Sequence, residues 1–124
     1  MTYAGTKLPN FEPRQEPVAE LEIIDTEVGT GEEVPAGATI QAHYTGALVK
    51  NGIIFQSSHD MGEAITFGLN QVIEGWTRGV PGMKIGGTRR LIIPSEMAYG
   101  QQSPSKNIPS GSDLVFDIDL VAIQ

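Results

Sequence analysis

With 124 residues, 40% of them apolar and 19% charged, the chain has the size and composition of one folded domain rather than a disordered segment. Fifteen carboxylates against eight cations give a formal charge of -7, which repels phosphate backbones and anionic membrane surfaces, so neither nucleic acid nor membrane is an expected partner. Cysteine is absent, which removes disulfides, thiolate chemistry and Cys-based zinc sites and suits a cytoplasmic protein; no run approaches the roughly 18 apolar residues of a membrane span, and residues 1–20 lack a signal peptide's apolar middle.

Residues 1–20 carry Pro9, Pro13 and Pro17 among charged and polar residues, a composition of extended, poorly packed chain. They are predicted to form a flexible arm ahead of a domain over 21–124. From Leu21 onward, short apolar alternations separated by glycine and proline turns predict antiparallel strands, the first over 21–28. In the next strand Ile40, Ala42, Tyr44 and Leu48 share one face, opposite Gln41, His43 and Thr45. Lys50-Asn51-Gly52 predicts a hairpin, because Asn-Gly accepts positive φ angles, and 53–57 resumes the extended pattern. A further short segment covers 64–67.

Ile73, Trp76 and Val80 fall at i, i+3 and i+7, so 72–80 is predicted as a short amphipathic helix with Asn70 as its N-cap and Pro81-Gly82 as its stop. Gly75 and Gly79 each cost about 1 kcal/mol inside a helix relative to alanine. Spaced i, i+4, they share one stripe, and the expectation is that neighbouring backbone approaches there closely. Gly86-Gly87 turns into a strand over 88–93, and Leu114, Phe116, Ile118 and Leu120 alternate with Asp117 and Asp119 in the clearest strand, over 114–123. Residues 95–113 form a long loop dense in Ser, Gly, Pro and Asn, and loops of this length are usually functional or mobile. One helix among consecutive strands excludes a doubly wound sheet and predicts an α+β fold, with Trp76 where the helix meets an antiparallel sheet.

Catalytic constellations are missing. His43 and His59 have no metal-ligand spacing and are expected to be exposed; no nucleophile elbow, phosphate loop or dinucleotide fingerprint is present. Asp117 and Asp119 read as solvated, and Arg89 and Arg90 as surface-paired side chains on opposite faces of a strand. What remains is a set of aromatic residues beside glycine-rich or loop positions: Tyr44, Phe55, Phe67, Trp76, Tyr99 and Phe116. By default each is core.

Six stretches, V-P-A-G-A-T-I-Q-A-H-Y-T-G, F-Q-S-S, V-I-E-G-W, G-V-P-G-M-K-I-G-G, I-P-S-E-M-A-Y-G and L-V-F-D-I-D-L, stand in the order and nearly the spacing of the FKBP-type peptidyl-prolyl cis-trans isomerases, which the chain resembles from about Leu21 to Gln124. The resemblance implies an antiparallel sheet of about five strands half-wrapped around one short helix, with a hydrophobic pocket between them. It implies that a proline ring lies on Trp76, that Tyr44, Phe55 and Phe116 form walls, and that Val72 and Ile73 form an edge. The Ile73 N–H and the Tyr99 hydroxyl would each bind a ligand carbonyl, and Ile108 would close the pocket from above. No cofactor is implied. The implied partners are proline-containing polypeptides and macrolides of the rapamycin type, and a monomer is expected.

The chain departs from the family pattern at Gln56, where aspartate usually follows the phenylalanine, at Met61, where a basic residue is usual, and at Ile65, where a bulkier aromatic is common. Gln56 supports an alternative function, a proline-recognising binding or chaperone module with little turnover. A strong chaperone role is less favoured, because the loop over 101–112 is too short for an inserted domain.

Overall fold

The computed structural model describes residues 3–103 and 107–124; the first two positions of the arm and positions 104–106 of the long loop lie outside the described residues. The strands are β1 (Glu22–Glu27), β2 (Thr39–Leu48), β3 (Ile54–Ser57), β4 (Ile65–Gly68), β5 (Thr88–Ile93) and β6 (Leu114–Ile123), with one helix, α1 (Glu74–Gly79), between β4 and β5. Short 3₁₀ turns cover Ser58–Asp60 and Ser95–Met97. All pairings are antiparallel, in the order β1-β5-β6-β2-β3, and β4 pairs with the first half of β2 beside the β3 edge. The sheet is therefore five positions wide but has six strands, because β3 and β4 share one edge of β2.

Ile40, Ala42, Tyr44, Leu91, Ile93, Leu114, Phe116, Ile118 and Leu120 turn one face, the front, toward α1 and enclose Trp76 in the main core. The helix is shorter than its periodicity predicts, and Asn70 does not cap it. Its N-cap is Ile73, with no side-chain capping bond. The segment before it is a turn, with Gln71 N–H donating to Gly68 O at 2.9 Å, and Ile73 has a non-helical ψ of 151°, so helical backbone begins only at Glu74. Thr77 Oγ1 then donates to Leu69 O at 2.6 Å and locks the helix over that turn. Gly82, at φ 96°, turns the chain away after Pro81.

Arg89 and Arg90 do point to opposite faces, but neither is a simple surface pair. Arg89 is buried on the front, gripping Asp25 through Nε at 2.6 Å and donating to Gly79 O at 2.8 Å and Pro81 O at 3.2 Å. It supplies the donors that the last carbonyls of α1 lack, and its charge suits the negative end of the helix. Arg90, on the back, pairs with Asp117 at 2.7 and 2.8 Å, so Asp117 is not merely solvated. His59 is exposed as expected and His43 is half-buried; their rings stack at 4.4 Å, and His43 Nδ1 lies 2.8 Å from Ser58 Oγ. Asp119 accepts from Thr88 Oγ1 at 2.6 Å.

The largest departure is the arm, which runs extended but is not poorly packed. Leu8 and Val18 are buried in a second core with Ala47, Val49, Ile54, Ile92 and Val115 on the back of the sheet, and Phe11 packs against it. Leu8 N–H donates to Gly52 O and Ile54 N–H to Thr6 O, both at 2.8 Å, so the arm covers the free edge of β3. Arg90 donates to Pro9 O at 3.0 Å and Asn10 O at 2.8 Å while its guanidinium lies over the Phe11 ring. Prolines suit an outermost strand, which needs few N–H donors.

Candidate active site

A cavity of about 500 Å³ opens between the front of the sheet and the start of α1. Trp76, 3% exposed, lies at its base, with Phe67 at 4.8 Å between ring centroids, Phe116 at 5.4 Å and 86°, and Tyr44 at 5.7 Å and 78°. Phe55 stands edge-on to Phe116 at 5.8 Å and 88°. Edge-to-face contacts are a preferred geometry of aromatic pairs; they hold Tyr44 and Phe116 near right angles to Trp76, with Phe67 tilted at 58°, so the rings wall the space instead of filling it. Tyr99 reaches the cavity from the turn after the Ser95–Met97 3₁₀ segment, and Val72, Ile73, Gln56 and Gln71 complete the rim.

The electrostatics are sparse. Among the described residues no carboxylate, amine, guanidinium or imidazole lines the cavity. Burial pushes the Tyr44 phenol above its ordinary value, with Tyr99 adding to the shift, so the hydroxyl stays protonated. The Ile73 carbonyl accepts from Trp76 N–H at 3.0 Å and Thr77 N–H at 3.2 Å, whereas its own N–H donates to no group among the described residues. Such a donor at a cavity edge is available to a ligand carbonyl. A larger space of about 560 Å³ lies between the arm, the hairpin at 49–52 and residues 109–113, but it contains no aromatic ring. Among the described residues no cluster of His, Cys, Asp and Glu could hold a metal ion, and no helix is long and apolar enough to cross a membrane.

The model of the FKBP-type peptidyl-prolyl cis-trans isomerases matches residues 30–121, which hold β2 to β5, most of β6, the helix and the cavity. The chain belongs to that family. This isomerase is 40% identical to peptidyl-prolyl cis-trans isomerase FPR2 of Saccharomyces cerevisiae, over 81% of this chain and 82% of the relative. It is 43% identical to an FK506-binding protein of Streptomyces anulatus, over 90% and 92% of the two chains. The crystal structure of AtFKBP13 superposes with a TM-score of 0.74 at 39% identity, covering 84% of this chain and 93% of that one. These matches favour an isomerase over a module without turnover.

Within the isomerase, the structure brings Tyr44, Phe55, Gln56, Val72, Ile73, Trp76, Tyr99 and Phe116 around one cavity and leaves out Ile65 and Ile108. Ile108 is 5% exposed and belongs to the same apolar cluster as Tyr44, Trp76 and Phe116. Ile65, half-buried, packs against the same core from β4. Phe67 and Gln71 line the cavity in addition. Phe67 was visible as an aromatic at the end of a short strand, but four residues carry too little alternation to tell which face it takes; Gln71 carries no sequence signal.

Gln56 is exposed at the rim and its amide has no bonding partner among the described residues. Met61, 51% exposed, does not reach the cavity, so the two departures form no pair. The neighbouring serines hold the wall instead. Ser58, fully buried, accepts from Tyr44 N–H at 2.8 Å and donates to Tyr44 O at 3.3 Å, pinning the backbone that carries the Tyr44 ring.

Proposed function

We propose that the isomerase seats the proline of an X-Pro substrate on Trp76, between Tyr44, Phe55 and Phe116, with a substrate carbonyl accepting from the Ile73 N–H. Rotation about the X-Pro bond is opposed by amide resonance, through a barrier of about 18–20 kcal/mol. The twisted amide has lost resonance and therefore charge separation, so a desolvated aromatic site favours it over the planar ground state. No proton has to move. The observation that carries this reading is the lining itself: among the described residues, six aromatic side chains and no ionisable group beyond two phenols.

Gln56 stands where a carboxylate would project its field across the rim, so turnover here rests on desolvation without that contribution. Macrolides of the rapamycin type fit the same cavity in competition with peptides. We propose a monomer, which size-exclusion chromatography with light scattering tests. The absence of cysteine suits a cytoplasmic setting.

A protease-coupled assay on short X-Pro peptides tests the reading. The parent protein is expected to accelerate isomerisation and Trp76→Ala to lose most of that acceleration while remaining folded; a parent rate equal to the uncatalysed one would sink it. Gln56→Asp is expected to raise kcat/KM by at most about tenfold, because the position is exposed and a charge there is screened.

A further inference from the structure

On β2 the front-facing residues run Ile40, Ala42, Tyr44, Gly46, Leu48, and the one position without a side chain lies beneath the cavity wall. Gly46 is paired with Gln56 on β3 and with Phe116 on β6, and the β2–β3 register shifts immediately after it. A Cβ at this position would meet Phe116 Cε1 at 2.6 Å, Phe55 Cζ at 2.7 Å and Phe116 Cδ1 at 3.0 Å. Carbon atoms pack at about 3.5–4.0 Å, so the two rings occupy the volume a side chain would take. The backbone makes no demand for glycine here, since Gly46 is not among the residues with positive φ. A glycine within a strand weakens it, so its presence calls for a close approach by something else. The approaching groups are the two rings themselves.

We propose that Gly46 is a positioning residue that sets how deeply Phe55 and Phe116 sink toward the sheet, and thereby the size of ring the isomerase accepts. The proposal rests on the cavity's being the prolyl site. A methyl group on the front of β2 points away from the sheet, so the rings it displaces move into the cavity. Phe116, 4% exposed and edge-on to Trp76, has no free space behind it. Phe55 is half-buried and gives way first. Either movement narrows the space above Trp76.

Gly46→Ala, Phe55→Leu, Phe116→Leu and the two double variants should be compared on peptides whose X-Pro proline is replaced in turn by its four-membered and six-membered ring homologues, azetidine-2-carboxylate and pipecolate. Gly46→Ala is expected to lower kcat/KM on proline about tenfold or more, as displacements near 1 Å do, with a larger loss on pipecolate and a smaller one on azetidine-2-carboxylate. The loss should shrink when Gly46→Ala is added to Phe55→Leu or Phe116→Leu, because each leucine takes away the far atoms of one of the two rings that the methyl group meets. Equal losses across ring sizes, or losses that add in both double variants, overturn the proposal and leave the prolyl site standing. If neither leucine variant alone changes kcat/KM, the prolyl-site reading fails and the proposal falls with it. Should Gly46→Ala not fold alone, recovery of folding in the Phe55→Leu background is the predicted rescue, and failure in both leucine backgrounds counts against the rings as the cause.

Discussion

On the front of the sheet, six aromatic side chains gather around one cavity and leave about 500 Å³ open, whereas on the back Leu8 and Val18 close over five aliphatic side chains, none of the seven more than 6% exposed. The difference lies in side-chain shape. Aliphatic groups interdigitate to crystal-like density, but rigid rings held edge to face leave wedges between them. The coverings differ as well. The front is covered by a six-residue helix carrying glycine at two positions, pinned at its C-terminal end by Arg89; the back is covered by a strand-like arm tied down by Arg90 and by Asp113, which accepts from Val18 N–H at 2.8 Å. The front keeps an opening over an aromatic floor and the back buries its aliphatic side chains under the arm, so perturbations of each should separate activity from stability.

The largest effect is expected on the back. Leu8→Ala removes buried methyl groups where the surroundings can partly collapse, at a cost of about 3 kcal/mol in denaturant unfolding. Because the cavity is on the opposite face, kcat/KM should stay within about twofold of the parent. A matching loss of activity would break the division between the faces.

A smaller effect is expected at Gly75. Its missing Cβ would meet three atoms of Ile93 at 2.5–2.7 Å, and Ile93 is fully buried and cannot swing aside. Overpacking costs about 1–3 kcal/mol, opposed by about 1 kcal/mol of helix propensity. Gly75→Ala should therefore destabilise by about 1 kcal/mol and shift Trp76 fluorescence. A gain in stability would show that helix and sheet are not in tight contact.

The smallest effect belongs to the pair that links arm and sheet. The Arg14 hydrogen bond holds the Glu22 carboxyl below its ordinary value near 4.5, against opposing burial, with the Arg14 charge contributing less. A lowered folded-state value stabilises the protein above the unfolded value, and that contribution disappears as pH falls through the folded one. Both side chains are more than a third exposed, so Glu22→Gln should cost within about 0.5 kcal/mol at pH 7 and nothing well below that value. An effect of several kcal/mol would make this link, and not the buried Leu8 and Val18, the main anchor of the arm.

Much of the front was legible in the amino-acid order. Alternation located β6, and a strand-like run stopped by Pro94 located β5, each at the residues where it occurs, and the helical spacing of Ile73, Trp76 and Val80 announced the covering helix, because these patterns are local in the chain. The back was legible only in a trace. Leu91-Ile92-Ile93 and Leu114-Val115-Phe116 are unbroken apolar runs, and such runs mark strands covered on both faces, but they do not say by what. The glycine stripe of α1 was read as room for neighbouring backbone; its occupants are the Ile93 and Leu91 side chains.

By itself the sequence determined the α+β class, the family, the aromatic lining centred on Trp76 and the departure at Gln56, since each is carried by residue identities and short spacings. Only the tertiary structure decided that the arm is a packed layer, that Phe67 faces the cavity and that Gln56 has no partner among the described residues. Those outcomes depend on pairs such as Leu8 with Val115, far apart along the chain, whose meeting is set by strand order and register and leaves no periodic mark on either segment.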